Sequence, residues 1–184
     1  GLSSAYAAAK NGAKVILAED KPRFGGSLLT DEVTIDNLSG KAWTDKIITE
    51  LKEMPNVVVK NRSQVFGYYD HNMTVMSERT GDHLHDKPRY TPRQRLWYIR
   101  AKEVLLSTGS IERPIVFGNN DTPGIFLSAA AKEYIKVYGV LVGKEPLIFT
   151  NNDSAYETAL EFKKQGIDPI ILDTREEHSS ELID

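Results

Sequence analysis

The amino-acid sequence predicts an α/β fold with a parallel sheet, an antiparallel insert and a second strand–helix–strand unit. Residues 1–20 have the pattern of a helix, a glycine stop, a short apolar strand and an acid. Residues 57–101 contain consecutive short strands separated by turn residues, and residues 146–175 again alternate strand, helix and strand. We therefore expect a first unit over residues 1–112, which carries the insert, and a second unit over residues 113–184.

Composition restricts the classes of protein to consider. The 184 residues are 40% hydrophobic and 27% charged, and the formal net charge is −3. Nucleic-acid-binding domains are usually strongly basic, so this charge argues against nucleic acid as a partner. The lack of cysteine excludes disulfides, thiolate metal sites and a cysteine nucleophile. No apolar run approaches the ~20 residues of a membrane span, so a cytoplasmic protein is the default expectation.

The first twenty residues match the second half of a dinucleotide-binding unit. Strong helix formers occupy residues 2–11, in which small side chains provide a closely packing face (Ala5, Ala8 and Ala9). Gly12 can end this helix in a left-handed conformation, and the apolar residues 15–17 follow as a buried strand. The strand and the glycines that precede the helix in a complete unit are missing from this sequence.

The acid at the end of the strand is the most specific residue of this pattern. In a dinucleotide-binding unit, an acidic residue about 20 positions after the glycine-rich loop binds a ribose hydroxyl. Glu19 has that place, with Asp20 as a less favoured substitute, and Gly1 falls at the last glycine of G-x-G-x-x-G. The pyrophosphate would bind at the helix N-terminus. On this stretch alone, an ordinary α/β unit without a ligand is an equally good interpretation.

Further along, a helix and a buried strand complete the expected first unit. Residues 40–56 are typical of an amphipathic helix that stops at Pro55, with one apolar face (Trp43, Ile47, Ile48 and Leu51). Residues 102–110 read as a buried strand that ends in small residues, Thr108, Gly109 and Ser110. Small residues at the carboxyl end of a strand are where open α/β sheets bind ligands.

Several longer motifs carry a resemblance to a known family. They are FGGSL, VFGYYDHN, PRQRLW, IRAKEVLLSTGSIERP, DTPGI and FTNNDSAY. In these motifs the chain resembles the alpha subunits of heterotetrameric sarcosine oxidases, from Gly1 to about Asp173. The resemblance implies a glutathione-reductase-like nucleotide-binding fold and an internal fragment, truncated at both ends.

The resemblance also implies an activity and its cofactors. In that family the complex oxidatively demethylates sarcosine to glycine, with hydrogen peroxide and either formaldehyde or methylenetetrahydrofolate. The alpha subunit binds NAD in its first unit, FAD in the beta subunit oxidises the amine, and FMN lies between the two. Beta, gamma and delta subunits are the implied partners, with the amine substrate on another subunit. The isolated chain is therefore expected to be inactive.

Site residues follow from the resemblance position by position, and none of them is a catalytic acid or base. Gly1 matches the third fingerprint glycine and Glu19 the ribose-binding acid, with Asp20 beside it. Val65 matches a strand position whose backbone meets adenine. The remaining matches are the loop beside the cofactor and the strand end beneath the dinucleotide: Gly25, Gly26, Ser27, Thr108 and Gly109.

Two alternatives remain open from the residues. The first unit could hold FAD, as in related opine and amine dehydrogenase subunits, because Glu19 suits the adenosine ribose of either cofactor. A non-catalytic scaffold subunit is the other alternative. His83 and His85 could offer two metal ligands on one strand face, but no third ligand is near them in the sequence, and His178 is distant, so no metal site is predicted.

In the second unit, Asn151, Asn152 and Asp153 stand where glycines would form a phosphate loop. We expect a structural turn there, with Asp153 or Ser154 capping the next helix, and no second nucleotide.

Overall fold

A computed structural model describes residues 1–176 of the chain. It contains two compact units, Gly1–Gly109 and a second that begins at Ser110. The α-helices are α1 (Leu2–Lys10), α2 (Gly40–Glu53), α3 (Ser128–Glu133) and α4 (Ser154–Lys164). The strands are β1 (Val15–Ala18), β2 (Thr34–Ile35), β3 (Leu38–Ser39), β4 (Val57–Lys60), β5 (Ser63–Tyr69), β6 (Met73–Arg79), β7 (Gln94–Arg100), β8 (Leu147–Thr150) and β9 (Ile170–Asp173).

A parallel strand pair with two helices packed together forms the core of the first unit. β1 pairs with β4 in register from Val15↔Val57 to Ala18↔Lys60. The predicted apolar face of α2 is buried, and Leu51 in its last turn is fully inaccessible. Ser39 begins the helix by accepting a hydrogen bond from the Ala42 amide at 3.3 Å. The predicted amphipathic helix is confirmed, and α2 ends just before Pro55, which cannot continue it.

The first helix packs through fewer alanines than its sequence suggested. Ala5 and Ala9, one turn apart, are buried against α2, whereas Ala8 is exposed. The prediction that Ala8 joins the packing face is wrong, because a helix this short presents one narrow stripe to its neighbour. The Asn56 amide donates to the carbonyl oxygens of Ala9 and Ala13 at 2.9 and 2.7 Å, which fixes the end of α1 beside β1 and β4.

The insert is a three-stranded antiparallel meander in the order β5–β6–β7, as predicted. Glu78 on β6 is its polar centre. Its carboxylate accepts hydrogen bonds from Lys60 Nζ at 2.9 Å and Trp97 Nε1 at 2.7 Å, and Arg95 lies 3.6 Å away. Arg95 and Trp97 of β7 therefore contact a carboxylate of their own sheet.

The predicted strand over residues 102–110 is wrong. This stretch is irregular, and Leu105 and Leu106 are 67 and 66% exposed. A strand forms only where a neighbour pairs with its N–H and C=O groups, and within residues 1–176 no strand lies alongside this segment.

In the second unit, β8 and β9 form a parallel pair from Leu147↔Ile170 to Thr150↔Asp173. α4 joins them and buries Phe162 against Ile148 and Ile135. Between residues 128 and 138, α3 continues directly into a π-helical turn, Tyr134–Tyr138. Among the helices of residues 1–176, none combines the length and the apolar character needed to cross a membrane.

Candidate functional site

The carboxyl ends of β1 and β4 and the start of β5 meet at Glu19. The Glu19 amide donates to the Lys60 carbonyl oxygen at 2.9 Å, which extends the β1–β4 ladder by one residue. The Ser63 amide donates to the Glu19 carbonyl oxygen at 2.8 Å. Two residues further along β5 is Val65, whose side chain is exposed. The structure therefore brings the predicted ribose acid and the predicted adenine strand to one edge.

The Glu19 carboxylate is half-buried and held by its own turn. Its Oε1 accepts a hydrogen bond from the Lys21 amide at 3.0 Å. Burial raises the pKa of Glu19, the Lys21 amide opposes this by favouring the anion, and the neighbouring Asp20 raises the pKa further. Glu19 and Asp20 together present two adjacent carboxyl groups at the strand end. Such groups can accept hydrogen bonds from a sugar diol.

The N-terminus of α1 is open to an anion. Gly1 is its N-cap residue, no side chain caps the helix, and the first turn contains no acidic residue. The free amides and the helix dipole therefore present a partial positive charge to whatever lies beside Gly1. A Cβ built on Gly1 would lie 3.3 Å from the Ser107 Cβ, so the 107–109 segment lies at this helix end.

Thr108 and Gly109 occupy that segment, both exposed and outside any strand. Gly109 has φ +70°, a conformation that favours glycine. These two predicted residues follow Ser107, which contacts Gly1, but they do not lie at the end of a strand as predicted.

The two glycines of the FGG motif have different environments. Gly25 has φ +125°, and a Cβ there would lie 3.1 Å from Leu29 and 3.2 Å from Thr44, so this glycine serves local packing. Gly26 has φ +56° and faces open space. Ser27 is exposed, and its carbonyl oxygen accepts from the amides of Thr30 and Asp31. Of the three, Gly26 and Ser27 are accessible to a ligand.

Arg79 was not predicted as a site residue, although it contacts the acidic turn. Its Nη2 donates to the carbonyl oxygen of Asp20 at 2.5 Å, across 59 positions of sequence. Only the fold of the meander brings the end of β6 to the end of β1, so no local sequence signal could have identified this contact.

A cavity of about 400 Å³ lies elsewhere in the first unit, between the 22–24 segment and α2. It includes none of the predicted site residues, so we do not assign a dinucleotide to it. Its lining residues are Pro22, Arg23, Phe24, Leu29, Lys41, Thr44, Asp45, Ile48, Lys52, Val59 and Asn61.

In the second unit, the acid at the strand end is already paired. Asp173 at the end of β9 accepts hydrogen bonds from Arg175 Nη2 at 2.7 Å and from the Tyr156 hydroxyl at 3.1 Å. Arg175 also contacts Asp153 at 2.7 Å. The Arg175 guanidinium holds the pKa of Asp173 well below its ordinary range, and Asp173 in turn raises the pKa of Arg175. This carboxylate is thus engaged by its own chain.

The prediction that the side chain of Asp153 or Ser154 caps α4 is wrong. Asp153 is the N-cap residue, but its side chain makes no capping hydrogen bond. Instead, the Asn152 side chain accepts from the Ser154 amide at 3.0 Å and from the Ser154 hydroxyl at 2.5 Å. The carboxylate of Asp153 turns to Arg175, a stronger electrostatic partner than a neutral amide. Residues 151–153 form a turn between β8 and α4.

Among residues 1–176, no group of three or more His, Asp or Glu side chains is placed to hold a metal ion. His83 and His85 lie in a loop between β6 and β7, and His178 lies outside the described residues.

Three similar proteins of known name are all sarcosine oxidase alpha subunits. The chain is 42% identical over 176 residues to the sarcosine oxidase alpha subunit of Rhizobium meliloti (strain 1021), in a match that covers 95% of this chain. It is 39 and 37% identical to the corresponding proteins of Corynebacterium strains P-1 and U-96, over 95 and 98% of this chain. The chain spans 18–19% of the length of these relatives. No family model matches the sequence.

A solved structure shares the fold. The L-proline dehydrogenase from P. horikoshii superposes with a TM-score of 0.73 over 97% of this chain and 34% of its own, at 23% identity. The predicted α/β fold is thereby confirmed. A more distant relative, an opine oxidase subunit of Agrobacterium tumefaciens (strain Ach5), is 25% identical over 81% of this chain and 31% of its own.

Proposed function

Because this chain belongs to the sarcosine oxidase alpha-subunit family, we propose that it forms the NAD-binding region of an oxidoreductase complex. The observation that carries the proposal is the arrangement around β1. A half-buried acid ends the strand, and the uncapped N-terminus of a helix that packs beside it is open. An adenosine ribose needs the first feature and a pyrophosphate needs the second.

Each proposed contact follows from a position in the first unit. Glu19, with Asp20 beside it, accepts hydrogen bonds from the ribose hydroxyls. Gly1 and the first amides of α1 receive the pyrophosphate, with Thr108 and Gly109 alongside. The exposed edge of β5 at Val65 lies against adenine, and the accessible backbone at Gly26 and Ser27 follows the dinucleotide outward. These residues would bind and orient the dinucleotide, which would not itself transfer hydride to or from sarcosine.

The reaction itself is proposed for the complete complex. It oxidatively demethylates sarcosine to glycine, with hydrogen peroxide and formaldehyde or methylenetetrahydrofolate as the other products. Amine oxidation takes place on FAD in a beta subunit, FMN lies at the interface, and gamma and delta subunits complete a cytoplasmic assembly. None of the residues proposed to contact the dinucleotide is a general acid or base for this reaction, so the isolated chain should release no peroxide with sarcosine.

FAD in the same site is the alternative. The similarity to an opine oxidase subunit favours keeping it open, because Glu19 can bind the adenosine ribose of FAD as well as that of NAD. A non-catalytic scaffold subunit is the remaining possibility, and it requires that no nucleotide binds at all.

Co-purification of the complete alpha subunit with its neighbouring subunits tests these proposals. Cofactor is released by denaturation and identified by absorbance and chromatography, followed by a screen of secondary amines. NAD at one per alpha subunit, together with sarcosine-dependent peroxide, supports the proposal. FAD that remains with an alpha subunit separated from its neighbours favours the alternative, and an alpha subunit without nucleotide favours the scaffold.

A further inference from the structure

The turn that carries the proposed ribose acid is held on one side by the backbone after β4. Glu19 is bonded to Lys60 and Ser63, and the Arg62 amide donates to the Lys21 carbonyl oxygen at 3.0 Å. These bonds engage the first and last residues of the turn. The peptide group of Asp20, between them, receives its hydrogen bond from the Arg79 guanidinium at 2.5 Å.

Arg79 is itself fixed at the same place. Its backbone amide donates to the Arg62 carbonyl oxygen at 2.9 Å, at the end of β6 and next to the β4–β5 connection. One residue therefore ties together the meander, the β4–β5 connection and the middle of the acidic turn. A hydrogen bond from a charged donor to a carbonyl is stronger than one from a neutral donor.

From this geometry we infer that Arg79 is a positioning residue for the ribose-binding acid. The inference rests on the proposed nucleotide site. The Glu19 carboxylate keeps its direction through the Lys21 amide, and that amide keeps its place only while the turn is closed. Arg79 closes the turn from the meander, although it contacts neither carboxylate. Its loss should leave the acid in place but turn it away from the ribose.

The test compares four forms of the complete alpha subunit: wild type, Arg79→Met, Arg79→Lys and Arg100→Met. Methionine keeps much of the length of arginine without its donors, and lysine keeps a charged donor. Arg100 is the matched control, since it is an exposed arginine at the other end of the same sheet. Each form is titrated with NAD and with the NAD analogue that lacks the 2′-hydroxyl of the adenosine ribose. Amide hydrogen exchange at Lys21 is measured in the nucleotide-free protein.

We expect wild type and Arg100→Met to bind NAD at least about 10-fold more tightly than the deoxy analogue, the value of one charged hydrogen bond. In Arg79→Met this preference should fall to within about twofold, and Lys21 should exchange faster. Arg79→Lys should recover part of both. A substitution that only destabilises the protein would weaken the binding of NAD and of the deoxy analogue equally, so the preference for NAD would not change.

The ligand preference of the wild type tests the proposed nucleotide site, whereas the preference of Arg79→Met and its hydrogen exchange at Lys21 test the role of Arg79. If wild type does not distinguish the two ligands, the ribose role of Glu19 is wrong, and the positioning role falls with it. If wild type distinguishes them but Arg79→Met does so equally, with unchanged exchange at Lys21, only the role of Arg79 is wrong. Should Arg79→Met fail to fold, Arg79→Lys decides by the same two readouts.

Discussion

Gly1 lies directly against Ser107, so that a Cβ on Gly1 would come within 3.3 Å of the Ser107 Cβ. The two residues are more than 100 positions apart, and neither belongs to a strand. Their contact places the residues that end the STG motif beside the first amides of α1. A side chain at Gly1 would therefore be in tight contact with this segment.

Enlarging Gly1 should separate these two segments. In the complete subunit, Gly1→Ala makes a tight contact that a small shift of Ser107 relieves, whereas Gly1→Val overpacks the site. We expect Gly1→Val to cost about 1–3 kcal/mol of unfolding free energy and to weaken NAD binding as well. Urea denaturation and calorimetry measure the two effects.

The matched control is Ser107→Gly, which removes the atoms that the new side chain meets. The double variant Gly1→Val with Ser107→Gly should recover stability if the contact is the cause. If Gly1→Val lowers stability equally in the wild-type and Ser107→Gly backgrounds, the valine disturbs another contact at the helix end.

Local periodicity was sufficient to predict the helices of this fold. The apolar spacing of Trp43, Ile47 and Leu51 specifies one buried face whatever lies beneath it, and α2 follows. The strand predicted at residues 102–110 has an equally apolar sequence. Its formation depends on a neighbour that supplies hydrogen bonds, which is not a property of the segment itself.

The site shows the same division between local and distant information. Glu19 follows from its place after a glycine-stopped helix and a strand, whereas the Arg79 contact requires knowledge of how the meander folds back. Asn152, Asp153 and Ser154 are all good capping residues, so sequence could not choose among them. In the structure Asp153 forms an ion pair with Arg175, which follows the carboxyl end of β9, and its side chain therefore does not cap α4.

Glu19→Ala in the complete subunit should weaken NAD binding by about 1.5–3 kcal/mol, the value of a hydrogen bond to a charged group. Asp20→Ala is the control and should have a smaller effect, since Asp20 is exposed at the outer side of the turn. Calorimetry with NAD measures both variants. A larger effect of Asp20→Ala would transfer the ribose contact to that residue.

Protonation of Glu19 at low pH should weaken NAD binding but should favour the folded state of the nucleotide-free protein. Burial raises the pKa of Glu19, so protonation removes the acceptor and weakens NAD binding at a higher pH than an ordinary glutamate would. For stability the raised pKa favours the folded protein at low pH. This contribution is fully present below the pKa of the unfolded chain and is lost as the pH rises through the folded pKa.

Glu19→Gln, which cannot titrate, should abolish both dependences. Binding isotherms and denaturation between about pH 3 and pH 8 check this, because this range extends to both sides of the ordinary glutamate pKa of about 4.3. Dependences that persist in Glu19→Gln would belong to another group.

Removing the observed cap of α4 should cost more than removing the expected one. Asn152→Ala loses the hydrogen bond to the Ser154 amide and should lower stability by about 0.5–2 kcal/mol. Asp153→Ala loses only a half-exposed ion pair with Arg175, whose usual value is about 0.2–1 kcal/mol. Denaturation of the two variants side by side measures the difference. The reverse order would return the capping role to Asp153.

The second unit should bind no nucleotide, for two reasons that lie at the carboxyl ends of its parallel strands. A pyrophosphate approaches a backbone only where no side chain intervenes, and residues 151–153 carry two amides and a carboxylate. Asp173, the counterpart of Glu19, is nearly inaccessible and bonded to Arg175 and Tyr156. Complete alpha subunit should therefore bind one dinucleotide at saturation, measured by quantitative extraction.

Arg175→Gln separates the two reasons. It should free Asp173 and return its pKa toward the ordinary range, yet the stoichiometry should stay at one because the glycines are still missing. The stability that Asp173 contributes is present above the pKa of the unfolded chain and is lost as the pH falls through the folded pKa. The variant should therefore be less stable than wild type at neutral pH, and the difference should shrink in strong acid. A second NAD or FAD in wild type, bound against residues 151–153, would contradict the first expectation, and a constant stability difference at all pH values would contradict the second.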